Sequence, residues 1–357
     1  MGGNINLKQT SFAGIHSALG GLADIDHLWA GTKTIEAWNK SIGAAGDYAD
    51  WATMAAAMPD LIAHPVTVTI EAGTRLAELC EIKNKHALTA AATITIQAEK
   101  YYPISGVIPT ADSATATTLR DAALAAEAYG NDYFNGCWIL IVHGTGTDNG
   151  FVPIIDYVDA TGDVVVANWP GTQPNNTSRY MIVGALIDGE NTRNGLVFRT
   201  NTCQVRAYGI GVDDANENGI LFQYNYSVGA LRCAVYGSDR SGINAEFGVY
   251  ALVSYCGSVK NNTDNNTGHA GVKNGAVNFL YVNYSALSDN NRRGILSSDV
   301  GYTYANNNFG DGNGLWGSYA LYSGQLRIAG TQCSGSSGLS SDPGTAGANS
   351  QDQAAVF

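Results

Sequence analysis

From Asn191 to Ser334 the chain alternates short apolar runs with clusters of Gly, Asn, Ser and Asp, and the alternation repeats. A small pair followed by an apolar pair recurs at Asn194-Gly195-Leu196-Val197, Asn218-Gly219-Ile220-Leu221, Ser241-Gly242-Ile243, Arg293-Gly294-Ile295-Leu296 and Asn313-Gly314-Leu315-Trp316, with glycine steps of 24, 23, 52 and 20 residues. The 52 divides into two ordinary steps if Gly271 or Gly275 opens a further unit and Asn261 to Ala270 bulges out of one turn. Self-similarity at this period marks a solenoid, in which each unit buries against its neighbours a face that it cannot bury alone.

The apolar runs have strand chemistry. Gln204-Val205-Arg206-Ala207-Tyr208 and Tyr250-Ala251-Leu252-Val253-Ser254-Tyr255 are short, β-branched or aromatic, and bounded by turn formers. No segment keeps a helical period long enough for a paired-helix repeat, and the leucine-rich consensus is absent. The pattern predicts an all-β chain: a right-handed parallel β-helix (solenoid), one coil per repeat, with an inserted small antiparallel β module. A β-sandwich with Gly-rich turns is the alternative. Twenty Asn residues between 191 and 313 suit the turns, because Asn tolerates the left-handed backbone region and bonds its own backbone. Stacked coils lie about 4.8 Å apart, so equal positions form ladders. Cys233 and Cys256, each fourteen residues after its repeat glycine, are expected to stack inward as thiols.

The same reading divides the chain. Residues 1–45 show no clear period and read as an arm or attachment segment, with a short strand around Ala30 to Ile35. Residues 46–112 read as the opening of the β-helix. There Asp50 caps a short helix carrying Trp51, Met54, Met58 and Leu61, and Pro65 stops it. Strands follow at Val66 to Ile70, Leu79 to Ile82 and Ala92 to Gln97, the last one coil after the first. Residues 113–185 interrupt the solenoid with four or five antiparallel strands and tight turns. The main β-helix runs over 186–335, and 336–357 is a Ser, Gly, Asp and Ala tail that cannot bury a core. That tail either extends to a neighbouring subunit or is plain disorder.

Composition narrows the function classes. Gly is 43 of 357 residues and charged residues are only 14%, a surface that suits stacked turns and packing against copies of itself. The net charge of −12 argues against nucleic acid as a partner, since phosphate binding needs clustered Lys and Arg. No apolar run reaches the length of a membrane span. Six Cys without a C-x-x-C pair read as free, buried thiols. MGGNINLKQTSF lacks a charged segment followed by an apolar one, so no secretory leader is expected.

Two stretches resemble known families. "GDYADWATMAAAMPDLIAHPVTVTIEAGT", from Gly46 to Thr74, resembles the opening of pectin-lyase-like β-helices, where a short capping helix leads into a first coil strand ending in Gly-Thr. The second stretch holds Phe134 to Val142, Gly144-Thr145-Gly146, Val152 to Tyr157, Asp163 to Val166, Trp169-Pro170 and Pro174 to Val183. It resembles a small β module of phage tail and virion proteins, and the resemblance covers about 60 residues. It implies a virion structural or appendage protein, made in a host cytoplasm and carried to the outside by assembly. The implied partners are copies of itself as a homotrimer, other virion proteins and a host surface glycan. It carries no catalytic residues over.

Candidate chemistry is sparse. Gly144-x-Gly146-x-x-x-Gly150 follows a strand but precedes another strand, whereas a phosphate loop needs a helix N-terminus, so it reads as a hairpin turn. The enzymatic alternative is glycan cleavage by analogy with β-helix phage spikes. Hydrolysis needs two carboxylates about 5–10 Å apart, and the candidates are Asp213, Asp214 and Glu217 in one turn, Asp239 and Glu246 in the next, and Asp289 and Asp299 beyond. Elimination needs a basic residue beside an acidic cluster, for which Arg292 or Arg293 beside Asp289 is the nearest match. No carboxylate pair recurs at one ladder position, so solvated turn residues are the plainer explanation. Tyr224, Tyr226, Tyr302 and Tyr304, with Tyr319 and Tyr322, are placed to stack on sugar rings or to form aromatic ladders and subunit contacts. Six scattered His residues give no metal spacing. Asp311-Gly312-Asn313-Gly314 resembles a calcium turn in a single copy, so neither metal nor cofactor is expected. The leading expectation is a non-enzymatic spike, fibre or capsid-decoration subunit, and the alternative is a tailspike depolymerase.

Overall fold

The structure is a computed structural model that describes residues 33–329 except 106, 300, 322 and 323. Cys333, Tyr322, the end segments 1–32 and 330–357, and the expectations attached to them lie outside these residues. The chain winds as a parallel β-solenoid with three faces, here A, B and C, visited in that order on each coil. Face A has nine strands, Trp38–Ile42, Val66–Ile70, Thr93–Ala98, Gln204–Tyr208, Ser227–Leu231, Tyr250–Ser254, Phe279–Asn283, Tyr302–Asn306 and Gln325–Ala329. Face B has six, from Arg75–Leu76 through Ala185–Asp188 to Ala286–Ser288, and face C has seven, from Cys80–Lys83 to Trp316–Ala320.

Register makes the repeat visible. On face A, Val205, Val228, Ala251 and Leu280 occupy one inward column, and Ala207, Ala230, Val253 and Val282 the next. On face C, Phe198 stacks on Phe222 with ring centroids 5.4 Å apart. Gly195, Gly219, Gly242 and Gly294 fall on successive or related rungs, and Gly271 supplies the missing one. The last expected unit is corrected, because Arg293 pairs with Trp316 and Ile295 with Ser318. Gly317 therefore stacks on Gly294, and Gly314 does not. Asn313-Gly314 mimics the repeat motif but belongs to the preceding corner.

The corners show why Asn is abundant. At most corners of the upper coils the residue directly after the strand takes a left-handed conformation: Arg232, Tyr255, Tyr284 and Asn307 from A to B; Asp214, Lys260 and Asp289 from B to C; Thr200, Tyr224, Phe247, Ala276 and Asp299 from C to A. One such residue reverses the chain direction, and the next side chain points inward. A polar group there needs a partner. Asn290 Oδ1 accepts from the Asn261 N–H at 3.1 Å, and Asn290 Nδ2 donates to Ser258 O at 3.0 Å and to Asn313 Oδ1 at 3.1 Å. Asn201 and Asn225 form a second such ladder between C and A, at 3.0 Å.

At the opening, Asp50 caps the helix Trp51–Ala57 by accepting from the Thr53 N–H at 2.7 Å. The helix is shorter than expected. Met58 is already extended because Pro59 follows, and the residue before proline avoids the helical region. Leu61–Ile62 is a strand instead. The third face A strand begins at Thr93, so Val66 pairs with Ile94.

Between the third A strand and Ala185–Asp188 the chain leaves the solenoid. Six strands form an antiparallel sheet, in order Arg179–Val183, Trp138–His143, Val152–Val158, Asp163–Val166, Thr118–Arg120 and Ser113–Ala114. Its own core holds Phe134, Tyr157, Trp169 and Tyr180. The residues of the module resemblance are its fasteners. Trp169 Nε1 donates to Thr115 O at 3.0 Å, Ser178 Oγ to Thr145 O at 2.5 Å, and Tyr180 Oη to Asp121 at 2.7 Å. The sheet lies over face B, where Leu140, Val142, Met181 and Phe151 pack on Leu186, Ala234, Val259 and Ala286. Contact is close enough that a Cβ at Gly257 would come within 2.5 Å of Val142.

Replacing Asn290 with Ala strands the Asn261 N–H in a dry corner and breaks three further bonds. We expect Asn290→Ala to lower the unfolding free energy by about 3 kcal/mol, read by urea titration, whereas the exposed Asn278→Ala changes it by no more than about 0.5 kcal/mol.

Candidate functional site

Two places gather chemistry-bearing side chains: the corner from face B to face C beside the inserted sheet, and the outer surface of face A. At the corner, Asp188 and Asp213 are in-register partners on adjacent strands. Their backbones are separated by about one strand spacing, roughly 4.8 Å. Asp188 is buried and committed: Arg75 donates from Nε at 2.8 Å and also through Nη2, and the Glu190 N–H bonds Oδ1 at 2.9 Å. Burial, reinforced by Asp214 and Asp188, pushes Asp213 up to about 7. Burial and Asp188 also raise Asp214. Tyr236 is the next rung above Asp213, and burial with Asp213 and Asp214 pushes it up to about 12.

The inserted sheet reaches the same corner higher up. Thr147 Oγ1 donates to Asp289 at 2.5 Å. His143 Nδ1 lies 3.2 Å from Asp311 and 3.4 Å from Ser288 Oγ, and its ring meets Phe309 edge-on. Ser, His and Asp thus meet, but both contacts fall on one ring nitrogen. A relay needs the base on one nitrogen and the orienting carboxylate on the other. The trio is a clamp that fastens the insert to the upper coils.

The other acidic candidates are dispersed into structural contacts. Glu217 accepts from Asn194 Nδ2 at 3.0 Å and pairs with Arg240 at 3.0 Å. Asp239 accepts from the Thr263 hydroxyl, and it is near enough to raise Asp214 further. Glu246 belongs to a charged ladder along face C: Arg199 bonds Glu81 and Gln223 at 2.9 and 2.8 Å, Gln223 bonds Glu246 at 3.1 Å, and Lys273 stands 3.7 Å from it. Asp299 turns the corner from C to A. Arg292 donates to Asn265 O at 3.0 Å, and Arg293 to Thr267 O while stacking 4.4 Å over Tyr319. Both arginines staple the long 261–270 turn. Among the described residues no cluster of His, Cys, Asp or Glu is arranged to hold a metal ion.

The four tyrosines proposed for sugar contact do share a surface. Tyr224 and Tyr226 are exposed at the C-to-A corner, and Tyr302 and Tyr304 stand on the outer side of face A. The surface also includes Phe247, Phe279, Tyr250 and Tyr281, which the sequence reading did not single out. Tyr224 stacks on Phe247 at 4.9 Å with an interplanar angle of 11°. Tyr250, Tyr281 and Tyr304 step up the face at 5.6 and 5.8 Å, Phe279 meets Tyr302 at 5.9 Å, and Arg327 caps Tyr304. The signal for the missed rings was register: Phe279 pairs with Tyr302, and Tyr281 with Tyr304.

No protein-family model and no curated protein sequence matches the chain. Among solved structures it is similar to the complex of XylC with xylose, at 11% identity and a TM-score of 0.34, covering 81% of this chain and 69% of that one. It is also similar to the tailspike protein gp49 from Pseudomonas phage LKA1, at 13% identity and a TM-score of 0.25, covering 87% of this chain and 55% of that one. The tailspike gp61 of Pseudomonas phage phi297 aligns at 10% identity and a TM-score of 0.19, over 87% and 71% of the two chains. Scores of this size leave fold and function to the chain's own geometry.

The raised Asp213 sets a pH dependence. Its folded value of about 7 lies above the ordinary carboxyl value of 3.8, so between these limits the folded state holds the extra proton. Stability from this group is present at the acidic end and is lost as pH rises toward 7. Asp213→Asn is expected to raise the Tm at pH 8 and to flatten the decline of Tm between pH 5 and 8, measured by thermal melts across that range. A residual slope from Asp214 remains.

Proposed function

We propose that this chain is a non-enzymatic structural subunit of a phage virion, a spike, fibre or decoration protein that holds a rigid solenoid for assembly and host-surface contact. The observation that carries the reading is the division of side chains. Most candidate carboxylates are bonded into ladders and corners, while aromatic rings at the C-to-A corner and Phe279 on face A are exposed, beside the half-buried Tyr250, Tyr281, Tyr302 and Tyr304. Exposed aromatic rows of this extent mark contact surfaces. The rings step along the rod at about 5–6 Å, tilted to one another, and their open faces suit the C–H faces of pyranose rings. The module resemblance points the same way. Assembly as a homotrimer in the virion belongs to this proposal.

The second reading, a depolymerase acting on bacterial surface polysaccharide, is favoured by one observation. Asp213 is a carboxyl that stays protonated near neutral pH, one rung from Asp188, and so has the character of a general acid. Asp188 weakens that reading because Arg75 and the Glu190 N–H already occupy its oxygens.

One experiment separates the two. The purified full chain is passed over immobilised bacterial surface polysaccharides, and the eluate is assayed for new reducing ends and for absorbance at about 235 nm, where an elimination product's new double bond absorbs. We expect retention without release, weakened about tenfold or more by Phe279→Ala combined with Tyr281→Ala. Release of ends that Asp213→Asn abolishes would overturn the non-enzymatic reading. Light scattering is expected to give three times the chain mass, and a monomer would sink the trimer.

A further inference from the structure

The A-to-B corner carries one inward column made by Ile210, Cys233, Cys256, Ser285 and Asn308, each fully buried. Register places Cys233 and Cys256 on consecutive rungs. Ala234 pairs with Gly257, and the Gly257 N–H donates to Cys233 O at 2.9 Å. Both cysteines follow a left-handed residue, Arg232 and Tyr255 with φ of 55° each, so both side chains leave their corners in the same direction. The Cys256 thiol has Ala230 O at 3.3 Å and Ser254 O at 3.5 Å as acceptors, and Cys233 has Leu231 O at 3.5 Å. Both are free thiols. A rung spacing of about 4.8 Å lies inside the Cα separation that a disulfide spans, about 4.4–6.8 Å. Among the described cysteines this is the one stacked pair: Cys80 pairs with Leu196, and Cys137 sits in the inserted sheet.

We propose that Cys233 and Cys256 are a latent inter-coil latch, closed to a disulfide by a peroxide-class oxidant. Hydrogen peroxide is close to water in size and suits a site closed to larger thiol reagents. The thiolate of one cysteine attacks the peroxide O–O bond, a hydroxide leaves and takes up a proton as water, and a sulfenic acid remains. The second thiol condenses on that sulfur, the S–S bond forms, and a second water leaves. Two thiols lose two electrons and two protons, and one peroxide becomes two waters. Either sulfur can attack, because the two stand on consecutive rungs of one buried column. Burial, followed by the Cys233 sulfur, pushes the Cys256 thiol well up. The bridge ties one coil to the next within the core, and it leaves the aromatic face and the acidic corner unchanged. The proposal is independent of the functional reading above.

The test uses the full chain, treated with hydrogen peroxide or left reduced, then alkylated in denaturant and digested without reductant. The expected result is a linked pair of peptides carrying Cys233 and Cys256. With it comes a fall in the unfolding equilibrium constant on the order of a hundredfold, because the bridge closes the loop between them. Cys256→Ser should fold, since Ser285 already occupies the same column one rung up, and it should gain nothing from peroxide. The latch is overturned if both thiols remain alkylated, if each is driven separately to sulfinic acid, or if the bridge forms without a shift in the unfolding midpoint.

Discussion

Everything in this protein hangs on in-register pairing between one coil and the next. A parallel rung satisfies its backbone only if its neighbour presents the same length and phase, and strands such as Gln204–Tyr208 hold that register over five consecutive residues. The corners pose the harder problem, because a closed coil must turn three times without leaving N–H and C=O groups dry. At most corners of the upper coils a left-handed residue after the strand solves it. The N–H of that residue still reaches the next rung, as Tyr224 does to Glu246 O at 3.0 Å and Arg232 to Ser254 O at 3.0 Å. The strain of placing Tyr, Phe or Arg in that conformation is about 1 kcal/mol each. It persists because the rungs above and below over-determine the corner.

The inward residue after each left-handed turn decides which corners are apolar and which are ladders. Where it is Ile210 or Ala215 the corner is sealed by hydrocarbon, and where it is Asn261, Asn290 or Asn313 each side chain closes the backbone of the rung before it. Toward the C-terminal end the core itself turns polar. Asn274, Ser297 and Thr303 bond one another at 3.0–3.1 Å in place of the Phe198–Phe222 stack lower down. Such a network is stable only when complete, and it makes those coils intolerant of single changes. The inserted sheet adds a second constraint by burying face B on both sides. Val142 and Met181 leave no room for a side chain at Gly257, and its partner rung on face B is the small Ala234.

The sequence made the solenoid legible because glycines at equal rungs and apolar pairs beside them recur at one coil length. It misled at Asn313-Gly314, where a corner Asn followed by Gly copied the motif three residues early. Only the pairing of Ile295 with Ser318 separates the two. It misled also at the capping helix, where apolar spacing continued past Met58 but Pro59 did not allow the helix to follow. The candidate site was legible in its parts and not in its grouping. Asp213 and Asp214 were named, yet Asp188 and Arg75 were not, because the coil that joins them spans the whole inserted sheet. The aromatic face shows the same limit. Tyr302 and Tyr304 were visible as neighbours, whereas Phe279 and Tyr281 join them only through cross-rung register.

The balance between the two functional readings rests on which groups are left uncommitted. A carboxylate fixed by a guanidinium and a backbone N–H has little freedom to act as nucleophile or base, since its lone pairs are already used. Asp188 is in that state, Glu217 and Glu246 are bonded to their own rungs, and the two arginines hold a loop in place. Asp213 and its neighbour Asp214 are the carboxyls that burial raises, and hydrolysis by either stereochemical course needs a second carboxyl that is free to act. The rings of face A are in the opposite state. Their edges and faces meet one another across rungs, but several keep about half their area in water. Their mutual contacts bury part of each ring, and the rest of the area is not needed to seal the rod. The area they leave in water is the surface on which the contact proposal rests.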